Sequence, residues 1–204
     1  MTTNILFSLY FNYLCRMNQI SLYFKDALII AGFTLLLFFG FYFIFGANAS
    51  ITPKLYYSIS LMLISFGLIP FYGGYAFYKV LSLSKKKAKT ATKEEDLMTF
   101  REGLRESFLP MFLGGTASLI IIFVFLNTGG QWAQDAFKEG YYETFVVNND
   151  LTNINKEELE NGYSEMMKNN LFSASNFFAF YPFVLSYYIV VSVFFAQFLK
   201  KRVY

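Results

Sequence analysis

The side chains that carry most protein chemistry are scarce in this chain. It contains no histidine and a single cysteine, Cys15. Without histidine the commonest general base and metal ligand is missing, which excludes histidine-based triads, most zinc hydrolases and histidine-ligated haem. A lone cysteine also excludes an intramolecular disulfide. What remains is carboxylate and ammonium chemistry. Glu157, Glu158 and Glu160 stand close enough in sequence to ligate a cation. They lack the alternating oxygen ligands and central glycine of a calcium loop, and a solvated helix face is the simpler reading. Asp96, Glu102 and Glu106 intersperse with Arg101 and Arg105 at helical spacing, the pattern of ordinary surface pairing. Lys85, Lys86, Lys87 and Lys89 form a basic run. It could contact anionic lipid headgroups, at about 1 kcal/mol per residue, or an acidic partner, or act only as a topology signal. No glycine-rich phosphate loop and no GxSxG elbow is present. The expectation is a protein without catalytic residues, metal or cofactor, and so not an enzyme.

The elements that must position these groups are apolar. The chain is 55% hydrophobic, 22% aromatic and 15% charged, against about a quarter charged in a soluble domain. The charges are bunched between long uncharged runs, as in membrane proteins. Four spans are predicted, at about 27–47, 55–80, 108–126 and 171–199, giving an all-α integral membrane four-helix bundle. Residues 1–26 read as an interfacial segment, with a helix over 6–24. Met17 is an alternative start, and no cleavable signal pattern is visible. A basic loop, 81–107, joins spans two and three. A polar loop, 128–170, joins spans three and four, and residues 200–204 form a basic tail.

Within the spans the informative residues are prolines and small side chains. Pro70, followed by Gly73 and Gly74, marks a helix kink in the second span, and Pro182 marks one in the fourth. A break of this kind lines cavities in transporters, but no charge accompanies it here. Gly114 and Ser118 stand four apart, as do Ser175 and Ala179, Ser192 and Ala196, and Ala27 and Ala31. That spacing lets helices approach closely. No ionisable residue falls inside a span away from its edges. The polar loop holds eight acids against three lysines, and Asn155 with Glu158 resembles a capping box before a helix over 156–169. Trp132, the only tryptophan, is placed as an interface anchor. Asn48-Ala-Ser50 matches a glycosylation sequon formally and is read as turn chemistry.

Orientation follows from charge. Arg16, Lys25, Lys79 at the end of the second span, the basic loop and the tail hold 13 of the 17 Lys and Arg residues. Lys54, Lys138, Lys156 and Lys168 fall on the other side. The positive-inside rule then places both termini in the cytoplasm and the polar loop outside.

The segment Met98-Thr-Phe100-Arg-Glu-Gly103-Leu-Arg-Glu-Ser107, set before an apolar third span, resembles a four-helix membrane-protein family of the Bacteroidota called domain of unknown function 4199. The order of elements from about Met17 to Arg202 is similar. Arg101 and Glu102 between Phe100 and Gly103, and the N-terminal extension, depart from the family pattern. The resemblance implies a bacterial inner-membrane protein with no assigned activity, whose genes often neighbour a membrane-associated glycosyltransferase. The expected function is a non-enzymatic accessory or scaffolding subunit of an inner-membrane complex, working with such a glycosyltransferase or with export machinery. Its partners would be membrane lipids and another membrane protein or a second copy of itself, not nucleic acid. A small transporter or channel is the alternative, and a lipid- or glycan-linked enzyme the third.

Overall fold

The computed structural model describes residues 2–46, 51–93, 96–144 and 156–200, and side chains within 23–45, 51–93, 96–144 and 161–200. Among the described residues seven α-helices follow one another: α1 Thr2–Gly46, α2 Pro53–Met62, α3 Ile69–Thr90, α4 Phe100–Thr128, α5 Gln131–Tyr142, α6 Lys156–Lys168 and α7 Ala174–Phe198. A π-helical turn, Leu63–Leu68, joins α2 to α3 without a break. Four helices are long and apolar enough to cross a membrane: Tyr23–Phe45, Pro53–Thr90, Phe100–Thr128 and Ala174–Phe198. The chain is a multi-pass membrane protein.

Several boundaries differ from the sequence expectation. The segment expected to lie along the interface and the first span form one helix, α1. No proline or glycine falls between Thr2 and Ala31 to interrupt it. The helix that carries the second span does not stop at Val80 but continues to Thr90, so the basic run is helical rather than looped. The polar loop contains α5, which the sequence reading does not predict, in addition to α6. Asn48, Asn155, Lys201 and Arg202, and the side chains of Cys15, Glu157, Glu158 and Glu160, lie outside what is described.

The helix ends have local causes. Thr52 accepts the Leu55 N–H at 3.3 Å and Pro53 occupies the first turn, where its missing donor costs nothing. Before Pro70 the ladder widens, and the Ile69 N–H bonds to the Ile64 carbonyl five residues back. Proline offers no N–H to the carbonyl four residues earlier and crowds it, and a wider turn passes that acceptor to a later donor. The helix runs on through Gly73 and Gly74. Gly129 and Gly130 both donate to the Phe125 carbonyl and end α4.

The chain divides into two compact units, and α1, the Pro53–Thr90 helix, α4 and α7 each contribute a segment to both. The first unit comprises residues 1–33, 72–118 and 187–204. Its core contains Ile30, Val80 and Met111, with Ser107, Ser118 and Ser192 fully enclosed. On α4 the buried positions Gly103, Ser107, Met111, Gly114 and Ser118 recur at intervals of three and four, one helical face.

The second unit comprises residues 34–71 and 119–186. Phe41, Tyr56, Leu126, Ala133 and Ala136 form its centre. Phe125 meets Phe39 and Tyr42 edge-on at 4.9 and 4.8 Å between ring centroids. Helix α5 lies on α2 at Gly140, where an added Cβ would stand 2.8 Å from the Pro53 carbonyl carbon. The Gln134 amide donates to the Leu126 carbonyl at 2.7 Å, satisfying an acceptor at the end of α4. The α5 part of the polar loop is thus packed on its own chain.

Candidate functional site

The segment Met98–Ser107 builds the entry to α4 in the first unit. Thr99 and Glu102 make a capping box. The Glu102 N–H donates to Thr99 Oγ1 at 3.3 Å, and the Thr99 N–H donates to Glu102 Oε2 at 3.0 Å. The other carboxylate oxygen of Glu102 accepts from Lys87 Nζ at 2.6 Å, tying α3 to α4. Met98 is buried, and its Cε stands 3.3 Å from where a Gly103 Cβ would be. The same Cβ would touch Ala196 Cβ at 3.3 Å, so Gly103 brings α4 against α7. Ser107 is fully buried and returns its hydroxyl to the Gly103 carbonyl at 3.0 Å.

The connection before this entry is held by Asp96. Its carboxylate accepts from the Thr92 N–H at 3.2 Å, and from the Lys93 N–H and the Thr92 hydroxyl at 3.1 Å. These bonds, the two backbone donors foremost, keep the Asp96 carboxyl below the usual carboxylate range.

One turn deeper along the helices lies a polar cluster that sequence reading does not assemble. Asp26 of α1 pairs with Lys79 of α3, and both side chains are largely enclosed, at 14% and 22% exposure. Tyr75, one turn before Lys79, places a buried hydroxyl beside Asp26. Its ring lies 5.9 Å from the Lys79 ammonium. Arg105 of α4 donates to the Tyr23 hydroxyl at 3.1 Å and covers that ring at 5.7 Å. Glu106 interacts with both tyrosines. Each residue stands at a span edge, so none looks like an intramembrane charge by itself. The legible signal is Lys79, set inside an apolar stretch four residues after a tyrosine. Chemically, the cluster neutralises one carboxylate with one ammonium where water is scarce, and it locks three helices in register. Among the described residues no group of three or more His, Cys, Asp or Glu side chains is arranged to hold a metal ion.

Close helix approach continues above the cluster. A Cβ on Gly114 would lie 3.0 Å from the Ala27 Cα, and nearer still to its carbonyl oxygen. One on Gly115 would strike the ring and hydroxyl of Tyr188. Tyr188 in turn stacks on Tyr72 with ring centroids 5.1 Å apart and planes 5° from parallel. Ser118 is fully buried and donates to the Gly115 carbonyl at 2.9 Å.

Other singled-out residues are placed as follows. Ser175 and Ala179 are exposed on α7, whereas Ser192 and Ala196 on the same helix are fully buried. Gly73 faces the Tyr187 hydroxyl, a Cβ there standing 3.8 Å away, and Gly74 faces open space. Pro182 is exposed, and its carbonyl accepts the Ser186 hydroxyl at 2.7 Å. Trp132 packs edge-on against Tyr56 and Tyr42 at 5.1 and 5.9 Å. Lys85, Lys86 and Lys89 are exposed, whereas Lys87 in the same run is paired with Glu102. Asn127, Asn170 and Asn176 bond one another and the local backbone at the start of α7, so their amides hold the α6–α7 turn in place.

The model of a family described as a protein of unknown function (DUF4199) matches residues 25–201. The chain belongs to DUF4199. The match covers the Asp26–Lys79 pair, the capping box and every close glycine contact described above. No curated protein matches the chain, and no solved structure matches it.

Proposed function

We propose that this DUF4199 protein is a non-enzymatic accessory or scaffolding subunit of an inner-membrane protein complex, with both termini in the cytoplasm. The surface of α7 carries this reading. In its most apolar stretch 11% of residues are buried, against 33% in α4. Phe178, Phe180, Phe183 and Phe198 are each more than 60% exposed. Large aromatic side chains dominate stable protein contacts and give a partner helix extensive area to pack against. Exposed Ser175 and Ala179 add a place for close approach. Membrane-embedded glycosyltransferase or export assemblies are the class of partner proposed.

Gentle-detergent purification of the tagged chain from native membranes, with Phe178, Phe180 and Phe183 replaced by leucine in a parallel sample, tests the proposal. A stoichiometric membrane partner that survives washing, and is lost from the variant, is the expected result. Recovery of the chain alone from both samples overturns it.

A small transporter or channel is the second reading, supported by the π turn ahead of Pro70, since such turns recur at functional sites. Leucine at Gly73 and Gly74 should then abolish flux in proteoliposomes, and unchanged flux removes that reading.

A further inference from the structure

Helix α3 divides into two faces as it leaves the apolar region. Ala76, Val80 and Ser84 recur every four residues and are buried. Lys87 belongs with this inner side through its bond to Glu102. The opposite side carries two neighbouring rows at the same spacing, Phe77-Leu81-Lys85-Lys89 and Tyr78-Ser82-Lys86. Leu81 is half-buried and the other six are exposed. A single outward stripe therefore passes from two aromatic rings, past a leucine side chain and a hydroxyl, to three ammonium groups. The Phe77 ring also meets Phe195 of α7 at 5.4 Å between centroids. Further along, the Ser84 hydroxyl donates to the Leu199 carbonyl at 2.9 Å. This bond holds the end of α7, and exposed Lys200 after it, at the level of the same lysines.

We propose that Lys85, Lys86 and Lys89, with Lys200, form a binding site for the headgroups of anionic phospholipids. The occupant is set by charge and by continuity. The surface is cationic, and α3 contains no carboxylate to offset it. The cations continue a face whose preceding residues suit a membrane boundary. Phe77 and Leu81 offer acyl chains an apolar surface, and Tyr78 is the kind of side chain that sits at headgroup depth. A lipid can follow that stripe with its tail and its phosphate at once, which a soluble anion cannot. Lys87 sits in the same run and contributes nothing to the site, since its charge is already matched by Glu102. The inference rests on membrane insertion and is independent of the accessory-subunit reading.

Native mass spectrometry of the purified chain, given equal amounts of phosphatidylglycerol and phosphatidylcholine, tests this. The wild-type chain should retain phosphatidylglycerol preferentially. Each of K85Q, K86Q and K89Q should lower the preference by about fivefold or less, and the triple glutamine variant should erase it. The triple arginine variant should keep the preference, which controls for folding and insertion. Equal retention of both lipids by the wild type overturns the proposal. So does a preference that survives the triple glutamine change. Displacement of the lipid by excess inorganic phosphate also overturns it, because the site would then be a free-anion site.

Discussion

Gly114 of α4 rests directly on the backbone of Ala27 in α1, with no room between them for a methyl group. Such a contact is available only to glycine, and it sets how closely the two helices run. Gly114→Val should destabilise the protein by about 1–3 kcal/mol, the usual cost of overfilling a packed site. Gly32→Ala and Gly40→Ala are the controls, because a Cβ at either meets nothing within 4 Å. Both should be neutral or slightly stabilising, since alanine is the better helix former. Thermal unfolding in detergent followed by circular dichroism separates the two outcomes.

The Asp26–Lys79 pair predicts strong non-additivity. Removing one partner leaves an uncompensated charge in an enclosed site, at a cost of about 3–5 kcal/mol. Asp26→Asn and Lys79→Met should each lower stability substantially. The double variant should be more stable than either single one. A double variant as damaged as the sum of the two would mean the groups act separately.

Gly140 seats α5 on Pro53 and Tyr57 of α2. Gly140→Val should lift α5 and draw Trp132 away from Tyr42 and Tyr56, against which it packs. As the sole tryptophan, Trp132 reports this without labelling. Its emission should shift to the red in the variant, and stay in place in Gly162→Ala, where a Cβ meets nothing.

The connection between α3 and α4 should be sensitive to acid. The Asp96 carboxyl titrates below its ordinary value because the ionised form accepts hydrogen bonds from Thr92 and Lys93. A depressed folded value means that stabilisation is complete above the ordinary carboxylate pKa of about 3.9 and is lost as the pH falls through the folded value. Amide exchange at Thr92 and Lys93, corrected for intrinsic rates, should therefore accelerate below about pH 4. In Asp96→Asn these amides should exchange with much less dependence on pH.

How much of this is legible in the sequence depends on whether the cause is local. The four apolar runs announce four membrane helices, because about twenty uncharged residues leave few alternatives. Gly114 and Ser118 can be noticed because their spacing is a one-dimensional signal. The same spacing at Ser175 and Ala179 looks identical on paper, yet the structure encloses Ser192 and Ala196 instead. Nothing in a single helix tells which of its faces meets a neighbour. Asp26, Lys79, Tyr75 and Arg105 come from three helices and cannot be joined without the fold. Helix α5 escapes a sequence reading because its inward face is Ala133, Ala136 and Gly140, residues too small to register as an apolar stripe. The continuation of α3 through Lys89 is hidden because a cationic run reads as a loop, although lysine favours helix almost as well as leucine.

The π turn over Leu63–Leu68 has a consequence for length. A π turn inside an α-helix behaves as one residue more than the α pattern requires, and everything after it is rotated by the angle of a single step. Tyr72, Ala76, Val80 and Ser84 owe the direction they face to that extra residue. Deleting one residue from the turn would return the helix to an unbroken α pattern and swing this row by about 100°. The buried tyrosine and serine would then trade places with neighbours of different size and polarity. A chain that keeps every side chain after residue 68 but loses one before it would present the wrong side of α3 along its whole remaining length.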